Sequence, residues 1–321
     1  MRKGEFGKEV SETLNCISEL LERSSPTFIL KMRTEQNNSD KGVKIREVRC
    51  STLLHRLNFG ERPSTEYTIN LFRGCLHGCT YCYAPSLIHD DRRWGSYVDV
   101  KINAPSILEK EIRRAKKDVV FLSSASDPYQ AVEARYKVTR RCLEVLKEHD
   151  FPILILTRSP LVLRDIDLIK RFGWARVGFS ISSVSDPIYE PAVPKLESRL
   201  KALRMLNDQG VKTWVSLAPI VPKLVLTNLD WLFKKLKEVR ISAISLGLLR
   251  FNGYEQSKVM FKERTGLDSG NVLIRSQETL REVRALAERY GLDTSCSSLN
   301  WIQEKTKENS SIDSFLSQGN R

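Results

Sequence analysis

No stretch of the chain approaches the ~20 consecutive apolar residues that a membrane-spanning helix requires. The opening residues, MRKGEFGKEV, also hold no apolar segment of signal-peptide length. The expectation is a cytoplasmic protein with no membrane partner. Neither G-x-G-x-x-G nor a Walker sequence occurs, which disfavours the two commonest phosphate-cradling nucleotide sites. Cysteines are few and odd in number, seven in 321 residues, so a secreted disulfide framework is not expected. In a reducing compartment their thiols stay available as ligands.

What the chain does have is basic charge. Lys and Arg number 52 against 39 Asp and Glu, a formal net charge of +13. Such an excess suits polyanionic partners through phosphate neutralisation and counterion release. Runs such as EKEIRRAKKD and LFKKLKEVR also read as solvated helix faces. With 41% hydrophobic residues the chain can bury a full core.

Residues 1–60 read as an N-terminal extension, with Val10, Leu14, Ile17 and Leu21 at helical spacing and Cys16 as a packed thiol. Residues 61–292 form the main domain, and 293–321 a C-terminal segment ending in a polar tail. In the main domain short Val/Ile-rich runs alternate with stretches of helical period, the mark of successive βα units. Six are counted, with strands in YTINLFRG, DVVFLSS, FPILILT, ARVGFSIS, VKTWVSLAP and ISAISLGLL. Between them SILEKEIRRAKK reads as a helix with Ser106 and Glu109 spaced as a capping box. VTRRCLEVLKEH carries Val138, Cys142, Val145 and Leu146 on one stripe, so Cys142 is a core residue. LVLRDIDLIKRF is another helix. KLESRLKALRMLNDQG aligns Leu196, Leu200, Leu203 and Leu206, with Gly210 suited to a left-handed C-cap. Consecutive right-handed βα units make an open doubly wound sheet or a barrel, and in both the ligand sits beyond the C-terminal strand ends.

Cys75, Cys79 and Cys82 crowd into the loop after the first strand, NLFRGCLHGCTYCYAPSL, with C-x3-C-x2-C spacing. A closed structural zinc site wants four protein ligands, so three thiolates would need His77, His89 or a remote cysteine to complete it. Iron-sulfur clusters usually take four as well, and three on a cubane leave one iron open to a substrate or cofactor. Gly74 and Gly78 supply the backbone freedom that a metal-wrapping loop needs.

This spacing, with an aromatic before the last cysteine and a βα series after it, resembles the radical S-adenosylmethionine superfamily. NLFRGCLHGCTYCYAPS, SASDPYQAVE, LILTRSPLVLRDIDLI, FSISSVSDPIYEPAVPKLESRLKALRMLNDQG and LAPIVPKL, in that order, resemble its branch related to spore photoproduct lyase. The resemblance covers roughly residues 45–290. It implies an α/β fold, an incomplete (β/α)6 TIM-type barrel. It also implies a 4Fe-4S cluster held by Cys75, Cys79 and Cys82, with S-adenosylmethionine chelating the fourth iron. One electron through the cluster then gives a 5′-deoxyadenosyl radical that abstracts a substrate hydrogen. An electron carrier of flavodoxin or ferredoxin type is the implied partner.

The same resemblance assigns roles. Tyr81 takes the aromatic position beside adenine, Ser126 contacts the amino acid part of the cofactor, and Arg158 stands where the lyases have a lysine for its carboxylate. Ser180 meets the ribose, and Tyr83 takes the place of a tyrosine that helps return a hydrogen atom. Asp127 and Glu133 read equally as cofactor contacts or helix caps. The lyases' donor cysteine is replaced here by Ser124, whose O–H bond is far harder to break homolytically, so dimer reversal by the lyase route is not expected. Cys50 and Cys296 read as structural. Nucleic acid is the first substrate expectation, with Trp94, Tyr97 and Tyr129 as candidate stacking aromatics. A peptide or small metabolite is the second. The third is a non-catalytic iron-sulfur or zinc protein that binds nucleic acid.

Overall fold

The computed structural model describes residues 42–56, 67–182, 187–221, 229–241, 243–251, 253–274 and 276–294. The helical segment 9–23, Cys16, Cys296 and the polar tail lie outside the described residues.

The main sheet has seven strands. Six follow one another in parallel: β3 (Tyr67–Ile69), β6 (Val120–Leu122), β7 (Ile153–Thr157), β8 (Ala175–Ile181), β9 (Lys212–Ile220) and β10 (Ala243–Leu248). These are the six strands expected from the sequence. Their near-continuous apolar runs are what parallel strands covered on both faces require; every residue of ILILT in β7 is buried or half-buried. β2 (Leu54–Arg56) adds antiparallel to β3 at one edge.

A second sheet was not foreseen. β5 (Tyr97–Lys101) pairs in parallel with β1 (Lys44–Val48) and antiparallel with β4 (Phe72–Arg73). YTINLFRG therefore splits between two sheets, with Asn70 and Leu71 as the corner. Asp99 in β5 can be buried because it accepts from Arg92 Nη1 and Nη2 at 2.9 and 2.6 Å, and that guanidinium also lies 3.7 Å over the Tyr97 ring. A charged inward residue breaks the apolar alternation by which strands are read.

The amphipathic helices behave as their spacing dictates. In Val138–Glu148, residues Val138, Cys142 and Leu146 are fully buried. In Leu196–Asp208 the buried leucines are Leu200, Leu203 and Leu206, and Gly210 adopts φ +80° after the helix end. Two expectations are corrected. The Ser106/Glu109 capping box does not form: Pro105 moves the helix start back to Ala104, and Glu109 pairs with Arg113 and His149. LVLRDIDLIKRF is a 3-10 turn, Pro160–Asp165, followed by the short helix Ile166–Ile169. There Asp165 is fully buried between Arg140 and Arg164, so side-chain pairing shapes the backbone more than helical period does. No described helix is long and apolar enough to cross a membrane.

Candidate functional site

Cys75, Cys79 and Cys82 lie beyond the C-terminal end of β3, on a loop fastened from four directions. Gln130, itself fully buried, accepts from Leu76 N at 2.9 Å and donates to Gly74 O at 3.2 Å, bracketing Cys75 on both sides. Arg264 donates to Gly78 O at 3.1 Å and to Trp94 O at 2.7 Å. Thr80 N donates to Tyr189 O at 3.0 Å, and Ala192 N to His77 O at 3.3 Å. Gly78 and Gly95 meet backbone to backbone: a Cβ on Gly95, at φ +88°, would lie 2.8 Å from Gly78 Cα. Helix Glu255–Thr265 covers the loop, Met260 packing with Cys75 and Cys82 and Phe261 with Cys79 and Tyr81.

All three thiols are free. Burial raises their pKa values, that of Cys79 up to about 12, and the neighbouring Asp127, Cys79 and Cys82 charges raise Cys75 further. Thiols so placed stay protonated and inert unless a local positive charge ionises them, as metal binding does. Among the described residues no three His, Cys, Asp or Glu side chains converge on one ion-sized point. His77 turns its buried Nδ1 toward Asp127 Oδ2 at 3.4 Å, and burial lowers its pKa. His89 is exposed at the end of helix Ala84–Ile88. A closed zinc site needs four ligand atoms about 2.0–2.3 Å from one centre. Thiolates that each bind a different iron need no such convergence.

The remaining site residues gather at the ends of the next strands. After β6, Ser126 Oγ is buried with no hydrogen-bond partner, and after β7 so is Arg158 Nε. Two orphaned buried polar groups at the ends of neighbouring strands fit a polar ligand, because such groups otherwise cost about 1–3 kcal/mol each. Tyr81 is buried, its ring 6.0 Å from the Arg158 guanidinium and its hydroxyl bonded to Glu190. Ser180, on β8, is buried, and its hydroxyl makes a long 3.5 Å contact to Ala218 O. Tyr83 is 39% exposed; its hydroxyl donates to Ser124 O and its ring lies 5.8 Å from that of Tyr254. Ser124 Oγ is engaged by Asn70 Nδ2 at 3.1 Å and Thr68 Oγ1 at 3.3 Å.

Several alternatives resolve. Asp127 is a brace between strand ends, accepting from Thr157 Oγ1 at 2.6 Å, Arg158 N at 2.7 Å and Tyr129 N at 2.8 Å. Glu133 is a cap, accepting from Thr139 N at 3.0 Å at the start of helix Val138–Glu148. Trp94, Tyr97 and Tyr129 cannot serve as stacking platforms, since their exposures are 5%, 1% and 0%. Cys142 is fully buried, and Cys50 sits apart beside Asn103. Sequence reasoning missed Gln130, Glu190, Arg199 and Arg264, which act through contacts between distant loops and so leave no local signal.

Residues 69–236 match the family model described as the radical SAM superfamily. The chain is 36% identical over 168 residues to an uncharacterized protein of Methanocaldococcus jannaschii, covering 51% of this chain and 63% of that one. It is 26% identical over 165 residues to the spore photoproduct lyase of a Geobacillus strain, covering 50% and 47%. The chain thus spans less than two thirds of these curated relatives. In fold it is similar to a spore photoproduct lyase solved with bound AdoMet and dinucleoside spore photoproduct, with TM-score 0.59, 20% identity and 77% of each chain covered.

Proposed function

Because the chain belongs to the radical SAM superfamily, we propose that Cys75, Cys79 and Cys82 hold a 4Fe-4S cluster and that Ser126, Arg158, Ser180 and Tyr81 bind S-adenosylmethionine beside it. The six parallel strands then act as an incomplete (β/α)6 barrel with its mouth at these residues. The observation that carries the reading is a loop with three free thiols, those of Cys75 and Cys79 buried and that of Cys82 half-buried, with the Arg158 charge acting on Cys79 and Cys82 and with Ser126 Oγ and Arg158 Nε left unpartnered at the ends of the following strands. When bound, cluster and cofactor supply one-electron chemistry that yields a 5′-deoxyadenosyl radical.

The chain's own residues do the rest. Gln130, Arg264 and the 189–192 backbone fix the thiols before loading, so little order has to be gained on binding. Arg158 offers a guanidinium fork to a carboxylate, and Ser126 Oγ a hydrogen bond to the polar end of the cofactor. Tyr81 presents a fixed apolar face, and helix Glu255–Thr265 keeps water from the loop. Tyr83 stands at the rim, where a substrate would enter.

Nucleic acid is the substrate class favoured here, supported by the +13 charge and by the solved relative's dinucleoside ligand. With Ser124 in place of a thiol, repair by a route that needs a cysteine donor beside Tyr83 is not part of the proposal. Two measurements test it. Anaerobically reconstituted protein, reduced in the presence of S-adenosylmethionine, should release 5′-deoxyadenosine, and DNA or RNA should bind with a steep salt dependence. Negligible affinity for both at low salt would remove that substrate class.

A further inference from the structure

Residues 187–193, which follow β8 in the chain, cross the cysteine loop, bonding to it on both sides of Cys79 through Thr80 N and His77 O. At the centre of this crossing lies Glu190, whose side chain is 3% exposed. Its Oε1 accepts from Ser182 Oγ at 2.9 Å and from the Tyr81 hydroxyl, and its Oε2 from Arg199 Nη2 at 3.2 Å. Arg199 is buried too, and its Nη1 donates to Ser180 O at 3.0 Å. One carboxylate therefore joins the cysteine loop, the end of β8 and the following helix.

Arg158 is left out of this arrangement. Its Nε lies 3.8 Å from Glu190 Oε1, close enough for charge attraction, yet makes no hydrogen bond. Glu190 has committed both oxygens to three other donors. Its negative charge favours the guanidinium in a buried site, while Oε1, the oxygen that faces Arg158, has both acceptor positions taken by Ser182 and Tyr81. An arginine held this way keeps its fork for a second anion.

We propose that Glu190 is a positioning residue: pinned by Tyr81, Ser182 and Arg199, it is kept from pairing with Arg158, so the guanidinium stays open to the carboxylate of an incoming amino-acid-bearing ligand, whose capture the nearby Glu190 charge tempers. The inference rests on the reading of Arg158 as a cofactor contact. It predicts effects of opposite sign from two variants. Tyr81→Phe keeps the ring but frees Oε1, so Glu190 closes on Arg158 and competes with the ligand carboxylate. Glu190→Gln removes the competing charge and keeps an amide of similar shape.

Binding of S-adenosylmethionine and of its decarboxylated analogue is measured by calorimetry on cluster-loaded wild type and both variants, with circular dichroism and melting checking the fold. The ratio of affinities for S-adenosylmethionine and the analogue should fall about fivefold in Tyr81→Phe and rise about threefold in Glu190→Gln, any change in a contact that both ligands share cancelling from the ratio. If Glu190→Gln does not fold, because Arg199 has lost its counter-charge, the selectivity change in Tyr81→Phe decides alone. Weakening of both ligands alike, or no change in their ratio, overturns the inference and leaves the cofactor reading standing. Failure of the wild type to bind S-adenosylmethionine removes both.

Discussion

Replacing Gln130 with Leu isolates how far preorganisation of the cysteine loop matters. The side chain is fully buried and makes two bonds to the backbone either side of Cys75, at 2.9 Å to Leu76 N and 3.2 Å to Gly74 O. Leucine has nearly the same volume, so the cavity cost is small and the loss falls on hydrogen bonding. A buried donor or acceptor left without its partner costs about 1–3 kcal/mol. Two of them give about 2–4 kcal/mol after partial relaxation, a large share of the roughly 5–15 kcal/mol that holds a domain together. Urea unfolding of the apo chain should show a lower midpoint with an unchanged slope. Iron bound per chain after reconstitution should fall as well, because Cys75 is no longer held in place. A variant less than about 0.5 kcal/mol destabilised and with full iron content would refute the claim that this glutamine organises the loop.

Gly95→Ala should act on the same loop from the other side. A Cβ at φ +88°, 2.8 Å from Gly78 Cα, has only backbone to push against, so about 2 kcal/mol of stability and much of the iron should be lost. Cys142→Ala and Cys79→Ala should separate packing from ligation: the first lowers the melting temperature and leaves iron content intact, the second abolishes stable iron binding. Asp90 is held well below the ordinary carboxylate range by hydrogen bonds from Arg92 and Arg73. A depressed carboxylate contributes fully above its unfolded pKa, near 3.9, and loses that contribution as pH falls through the folded value. Asp90→Asn should therefore cost about 2 kcal/mol in unfolding at pH 7, with the gap to wild type closing below about pH 4.

The six parallel strands were legible because each is an apolar run long enough to stand against helical period, and Cys142 because its stripe is unbroken. Helix Glu255–Thr265 was not read, since its apolar residues, Val259, Met260 and Phe261, are consecutive and show neither period. β5 was hidden by Asp99, whose burial depends on Arg92 seven residues earlier. The cysteine trio was plain from spacing. The side chains that hold it were not, because Gln130 and Arg264 reach it from 54 and 186 residues away along the chain. Asp127 and Glu133 looked like ligands or caps with equal justice. Only the three-dimensional contacts make one a brace between strand ends and the other a cap.

The central claim is a cluster with one iron free of protein ligands, beside Arg158 and Ser126. Iron and acid-labile sulfide should be quantified on oxygen-protected protein, with 5′-deoxyadenosine measured after reduction with S-adenosylmethionine, for wild type and for a chain with Cys75, Cys79 and Cys82 all changed to Ala. The account predicts a 4Fe-4S complement and 5′-deoxyadenosine from wild type, and neither from the triple variant. One tightly held zinc per chain with no sulfide and no 5′-deoxyadenosine would contradict it.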